Sequence, residues 1–169
     1  MNIRPCKPDD ATAISDIYNH YIKNTVITFE EEWVDHKIME DRIKTYTKTH
    51  PWLVLENELG EVAGYAYAAK WQPRSAYKQT CEITVYLDKD QSGYGYGSAL
   101  YKALLPLLKT SGFHTVVAGI ALPNEASVKL QESFGFKKVT HFQQVGRKFD
   151  RWIDVGHWQL LLNDISFEQ

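Results

Sequence analysis

Three glycines at alternate positions, in Ser92-Gly93-Tyr94-Gly95-Tyr96-Gly97-Ser98, separate a run rich in β-branched and aromatic residues from an apolar stripe at helical spacing. Such a run fits the point where a strand hands the chain to a helix. Glycine backbones adopt angles that other residues avoid, and they leave room for close approach. Successive amide N–H groups at the helix start then converge on an anion. Taken alone, the pattern satisfies both a phosphate-binding loop and a plain flexible connection. Two phosphate-binding classes are excluded, because the loop lacks the Lys and hydroxyl of G-x-x-x-x-G-K-[ST] and its spacing is not the dinucleotide G-x-G-x-x-G.

The surroundings of the loop set its fold. Thr80 to Leu87 alternates as a strand before it, and Trp52 to Glu56 and Glu61 to Ala69 read as a hairpin around Asn57-Glu58-Leu59-Gly60. Asp9 or Asp10 is placed to cap a helix with Ile14, Ile17, Tyr18, Tyr21 and Ile22 on one face. Asp35 is placed to cap a second, carrying Met39, Ile43 and Tyr46. After the loop, Leu100, Ala103, Leu104, Leu107 and Leu108 predict a helix from Ser98 to near Gly112, which Pro106 should bend or shorten. His114 to Ile120 then reads as a buried strand, and Pro123-Asn124 opens a helix to Phe134 that Gly135 stops. Lys137 to Phe142 and Asp154 to Leu162 give two more strands. This order predicts one α/β domain over residues 1–169, with a mixed, largely antiparallel sheet flanked by helices.

Composition removes whole classes of partner. A net charge of -2 offers no general attraction to nucleic acid or an anionic membrane, so neither is an expected partner. The pairs Lys137-Lys138 and Arg147-Lys148 read as solvated surface. Two cysteines, Cys6 and Cys81, are too few for a disulfide framework or a cysteine-rich zinc site and fit a reducing compartment. The histidines at 20, 36, 50, 114, 141 and 157 show no ligand spacing, so no metal is expected. His20, on the first helix beside Asn19, reads as an ordinary helix histidine. The longest apolar run, Val116 to Leu122, is far short of the roughly 18 residues of a membrane span, and the expected location is the cytoplasm.

Beyond the loop, the strand Glu82-Ile83-Thr84-Val85-Tyr86-Leu87, then Leu122-Pro123-Asn124 with Ser127 and Gly135-Phe136, resemble the acetyl-CoA core of the GNAT N-acetyltransferase superfamily. Asn19-His20-Tyr21-Ile22, Thr28-Phe29-Glu30, Pro51-Trp52-Leu53-Val54, Gly64-Tyr65-Ala66-Tyr67-Ala68, Trp71, Arg74-Ser75-Ala76-Tyr77, Trp152-Ile153-Asp154-Val155 and Trp158-Gln159-Leu160 narrow the resemblance. They are similar to the phosphinothricin and methionine sulfoximine acetyltransferases. The resemblance implies acetyl-CoA as co-substrate, its pantetheine arm held by the backbone of Val85, Tyr86 and Leu87. It implies amides of Gly93, Tyr94, Gly95, Tyr96, Gly97 and Ser98 on the pyrophosphate, with Asn124 and Ser127 at the cofactor beyond the next strand. The chain departs from the pattern twice. Ser92 stands where Gln or Arg is frequent, and Gln131 stands where many members carry a Tyr that protonates the leaving thiolate. Gln cannot be that acid, which leaves Ser127, another residue or water.

Acetyl transfer to an amine needs a group that removes a proton from the ammonium. Glu82 heads the strand that leads into the glycine loop, and partial burial beside aromatics would raise its pKa toward that task. A carboxylate bonded to nearby backbone is the competing reading, and Glu30 is the second candidate carboxylate. Arg74 offers a bidentate grip for a substrate carboxylate, with Phe29, Ser75, Ala76 and Tyr77 as pocket wall. Cys81 should face away from Glu82, and no nucleophile is set up for an acetyl-enzyme. The expectation is direct transfer of acetyl to a small amino-acid-like amine such as methionine sulfoximine, methionine sulfone or phosphinothricin, by a homodimer. A peptide N-terminal or polyamine acetyltransferase and a non-catalytic acyl-CoA-binding module are the alternatives.

Overall fold

Alternating side chains turn each central strand into a wall between two cores. In the computed structural model, which describes residues 1–164, β1 (Asn2–Pro5), β2 (Trp52–Glu56), β3 (Val62–Lys70), β4 (Thr80–Leu87), β5 (Thr115–Leu122), β6 (Lys137–Lys148) and β7 (Arg151–Leu161) form one sheet. Their spatial order is β1-β2-β3-β4-β5-β7-β6. Leu53, Leu55, Ala66, Cys81 and Ile83 pack on one face against Leu100, Leu104 and Leu108 of α3 (Tyr96–Thr110). Trp52, Val54, Tyr65 and Tyr86 turn to the other face, against α1 (Ala11–Asn24) and α2 (His36–Tyr46). The fourth helix, α4 (Glu125–Ser133), follows β5. This is the expected mixed sheet flanked by helices, and the last five residues of the predicted domain lie outside the described residues.

One pairing positions everything that follows. β4 and β5 run parallel, joined at Thr80↔Thr115, Cys81↔Val116 and Glu82↔Val117, and the ladder ends at that third rung. Ile83 to Tyr86 on one strand and Ala118 to Ala121 on the other then border a common cleft. Backbone groups that would have paired across the sheet are left there for another partner.

Three expectations need correction. Pro106 does not shorten α3, which continues to Thr110. The loss of about 3 kcal/mol for an internal proline is outweighed by burial of Leu100, Tyr101, Leu104, Leu105 and Leu108, each about 1.5–3 kcal/mol. Asp10 sits at the N-cap of α1 without bonding to it, because its carboxylate accepts from both Arg4 guanidinium nitrogens, at 2.8 Å each, and from the Lys7 amide. Finally, β6 and β7 are a long hairpin that runs well past Phe142 and begins before Asp154. Its two-residue turn, Phe149-Asp150, has both φ angles positive (49° and 56°), a mirror-type turn made without the usual Asn-Gly signal.

Candidate active site

The cleft between the diverging strands has a volume of about 330 Å³, within the range that small-molecule sites occupy. It passes through the sheet. On the α1/α2 side it is bordered by Tyr18, Thr28, Phe29, Tyr67, Glu82 and His157; on the α3/α4 side by Tyr101, Asn124, Ser127 and Gln131. Two reactants approaching from opposite faces would meet at the split between β4 and β5.

Glu82 stands at the last rung of the parallel ladder, half-buried, and burial pushes its carboxyl above the usual range. Cys81, one residue earlier, is fully buried on the opposite face, and desolvation lifts its thiol to about 12, so it holds no nucleophilic thiolate. Gly119 opens the space beside Glu82: a Cβ there would lie 3.2 Å from Glu82 Oε1 and 3.4 Å from His157 Nε2. His157 bonds through Nδ1 to Thr140 Oγ1 at 2.9 Å and meets Trp71 and Phe142 edge-on.

The segment before α2 supplies the other wall. Tyr18 bonds Thr28 Oγ1 at 2.8 Å and donates to Glu30, which Arg42 grips through both guanidinium nitrogens. Lys148 Nζ, buried at the end of β6, donates to the Thr28 carbonyl at 2.8 Å. These bonds hold Phe29 over the cleft. They also decide between the two candidate carboxylates, since Arg42 holds the Glu30 carboxyl below its ordinary range and makes it the weaker proton acceptor.

On the opposite face, Gly93 and Gly95 have φ of 87° and 77°, and Gly95 is the N-cap of α3. Their amides therefore lie at a helix N-terminus, where the dipole favours an anion. Gly97 serves packing: a Cβ there would approach Leu130 Cδ2 at 3.3 Å. Asn124 caps α4, its Oδ1 accepting from the Ser127 amide at 3.1 Å. Gln131 is buried and donates from Nε2 to Tyr101 Oη at 2.6 Å, while its Oε1 is buried without a partner. A buried acceptor without a donor is costly unless a ligand supplies one.

Of the residues singled out in the sequence, Phe29, Glu82, Val85, Tyr86, Asn124 and Ser127 border the cleft together. Leu87 does not, and its carbonyl accepts from Tyr21 Oη at 2.6 Å. Gly93 to Ser98 lie beyond the cleft lining at the start of α3. Arg74 to Tyr77 form an exposed turn outside that lining, anchored where Trp71 packs on His157. His20 bonds Asn24 and is not part of the wall. Sequence reading passed over Tyr101 and His157, because their neighbours are set by sheet and helix packing rather than by spacing along the chain. Among the described residues no group of three or more His, Cys, Asp or Glu is placed to hold a metal ion, and no helix is long and apolar enough to cross a membrane.

Comparison with known proteins agrees with this geometry. The acetyltransferase (GNAT) domain family matches residues 3–157. Phosphinothricin N-acetyltransferase of Streptomyces viridochromogenes is 41% identical over 166 residues, covering 94% of this chain and 86% of that protein. The L-methionine sulfoximine/L-methionine sulfone acetyltransferase of Salmonella typhimurium is 35% identical, covering 97% of this chain and 96% of that one. A solved acetyltransferase from Salmonella typhimurium, with its cofactor acetyl-CoA, superposes with a TM-score of 0.94 at 34% identity over 98% of this chain and 96% of that chain.

Proposed function

Because this chain belongs to the GNAT acetyltransferase family and so transfers acetyl from acetyl-CoA to an amine, we propose that its acceptor is the α-amine of a small amino-acid-like compound. Methionine sulfoximine, methionine sulfone and phosphinothricin are the leading candidates, the substrates in the names of its relatives. The observation that carries this reading is the through-sheet cleft. A compact volume with Glu82 on one face and an anion-ready helix start on the other suits a small amine meeting a long phosphorylated carrier.

The residues fit acetyl-CoA. Amides of Gly93 to Ser98 would hold the pyrophosphate, and backbone groups of Val85 and Tyr86 the pantetheine arm, the Leu87 carbonyl being taken by Tyr21. Asn124, Ser127 and the unpartnered Oε1 of Gln131 would face the arm's amides. Acetyl-CoA supplies the acetyl thioester; the rest of the chemistry falls to side chains of this chain. Glu82, its carboxyl made more basic by burial, takes a proton from the substrate ammonium. Tyr101 already accepts a hydrogen bond from Gln131, so its own O–H is free to donate toward the departing sulfur. Burial raises the phenol pKa, and Tyr101 therefore acts as a neutral hydrogen-bond donor and keeps its proton. Arg74, without an ion-pair partner among the described residues, would grip the substrate carboxylate beside Ser75, Ala76, Tyr77 and Phe29.

We also propose a cytoplasmic homodimer. Val145, Phe149 and Trp152 are exposed at the turn end of the β6–β7 hairpin on the sheet edge, an apolar surface suited to a second copy. Sedimentation equilibrium tests this, and a monomer at micromolar concentration counts against it.

A panel of amino acids, their decarboxylated amines, peptides and polyamines, read by CoA thiol release, tests the acceptor class. Turnover should concentrate on the small amino-acid-like amines. Arg74→Ala should raise KM for the acids by a factor corresponding to about 1.5–3 kcal/mol and leave the decarboxylated amines unchanged. Equal losses for both would remove the clamp, and turnover only on peptides or polyamines would overturn the acceptor class.

A further inference from the structure

Acetyl transfer leaves one proton over: an ammonium and a thioester become an amide, a thiol and a proton. Glu82 is half-buried in the cleft, and a proton it takes up has to leave before the next turnover. We infer that His157 is that exit, a proton-relay residue that receives the amine's proton from Glu82 across one water and passes it by way of Thr140 to the outer strand β6. This rests on the role given to Glu82 above.

Four observations place His157 for the task. It pairs with Gly119 of β5, and the missing side chain there leaves a shared space bordered by both Glu82 Oε1 and His157 Nε2. Glu82 Oε1 and His157 Nε2 lie 3.2 and 3.4 Å from that same point, and the relay places one water between them. The other ring nitrogen, Nδ1, bonds Thr140 Oγ1 at 2.9 Å, and Thr140 lies on the edge strand of the sheet. Trp71 and Phe142 meet the ring edge-on at 5.5 and 5.8 Å and fix its plane.

Burial lowers the His157 pKa below its ordinary value, so the ring is neutral at pH 7 and has a lone pair to offer. Glu82, from β4, is the titratable group that faces it across Gly119. One ammonium N–H bond breaks and a Glu82 O–H bond forms; as the amide forms and the thioester C–S bond breaks, the nitrogen's second proton passes through water to the departing sulfur and gives the thiol. The proton on Glu82 crosses the water to Nε2, giving imidazolium, which releases its Nδ1 proton past Thr140 to bulk water. The ring is left neutral with its proton on Nε2, and between turnovers it regains the starting tautomer by taking a proton from water at Nδ1 and losing the one on Nε2 to the emptied cleft. No oxidant or further reactant enters.

His157→Gln keeps a polar side chain but cannot relay a proton, and Thr140→Val removes only the outer bond. In each, kcat should fall about 10- to 100-fold, the lower part of the range for proton-transfer catalysis, while KM for the amine and calorimetric acetyl-CoA affinity stay within about twofold of wild type. The distinguishing readout is rescue: at fixed pH and ionic strength, kcat of His157→Gln should rise with imidazole concentration, and wild-type kcat should not. Normal kcat in both variants, or a loss that imidazole leaves unchanged, overturns the relay. A wild type that releases no CoA thiol with any amine in the panel overturns the acceptor assignment and with it the relay, whereas loss confined to the relay leaves wild-type turnover in place.

Discussion

The ring of Phe29 fills the space that a side chain on Gly146 would need. The two residues are far apart in sequence, one in the segment before α2 and one on β6, and their contact packs Phe29, which borders the cleft, against the edge hairpin. Lys148 reinforces it two residues later by donating to the Thr28 carbonyl.

Gly146→Ala should therefore push Phe29 from its place. Overpacking of this kind costs about 1–3 kcal/mol, and its main effect should be on the amine: KM rises about tenfold, roughly 1.4 kcal/mol, while acetyl-CoA affinity by calorimetry is unchanged. A variant with normal amine KM would show that Phe29 does not shape the acceptor pocket.

Glu82→Gln should lower kcat by about 100- to 10,000-fold, the range for loss of a general base. It should also change stability in a direction that identifies the burial. The folded-state pKa of Glu82 is raised, so its contribution to stability is fully present below the unfolded carboxyl pKa and is lost as pH rises through the folded value. Gln removes that loss, and Tm of the variant should exceed wild type at pH 7 and converge with it in acid. Glu30→Gln should behave oppositely. Its folded pKa is lowered by Arg42, so the stabilisation lies above the unfolded pKa and disappears as pH falls. Its Tm should drop at pH 7 by an amount corresponding to at most about 1 kcal/mol for a partly exposed pair, with the acid limb of kcat/KM in place. If Glu30→Gln removes that limb and Glu82→Gln does not, the base is Glu30.

The strand periods and helical stripes around the glycine loop were enough to read the sheet, because burial on one side writes a period into the sequence, whereas the candidate cofactor residues came from the family resemblance. Glu82 was legible as a candidate from its place at the head of the strand that runs into the glycine loop, in a segment that carries the family resemblance. The β6–β7 hairpin was only half legible. Most of β6 is exposed, so no alternation marks it, Gln144 with φ of 51° breaks its register, and Phe149-Asp150 makes a turn that glycine usually makes. His157, Tyr101 and Gly146 were not legible as site residues at all. Each acquires its role from a partner on another element, namely Glu82 across Gly119, Gln131 on α4, and Phe29.

Gly95 has nothing within 4 Å of the point where its Cβ would stand, so its requirement is the backbone angle, φ 77°, and not close packing within the protein. Gly95→Asn should be tolerated better than Gly95→Val, because a β-branched residue strongly resists the left-handed region and Asn enters it at small cost. Gly95→Val should weaken acetyl-CoA binding and lower stability by about 1–2 kcal/mol, measured by calorimetry and denaturant midpoint. Equal acetyl-CoA Kd for wild type and a folded Gly95→Val would mean that the loop amides do not hold the pyrophosphate.

Tyr101→Phe removes one oxygen from a fully buried side chain. Two losses follow from that single atom, and they separate in different measurements. Gln131 Nε2 loses its acceptor and joins Oε1 as a buried group without a partner, which should lower stability by about 1–3 kcal/mol. The departing sulfur loses its hydrogen-bond donor, and a bond to a charged group is worth about 1.5–3 kcal/mol, so kcat should fall by roughly 10- to 150-fold. Because burial holds the phenol protonated well above neutral pH, the pH profile of kcat should keep its shape in the variant. Acetyl-CoA affinity should move little, since the thioester sulfur carries no charge before the bond breaks. Gln131→Leu separates the two roles: it leaves the Tyr101 hydroxyl in place but without its positioning bond, so kcat should fall less than in Tyr101→Phe. Unchanged kcat in a folded Tyr101→Phe would assign stabilisation of the leaving sulfur to Ser127 or to water.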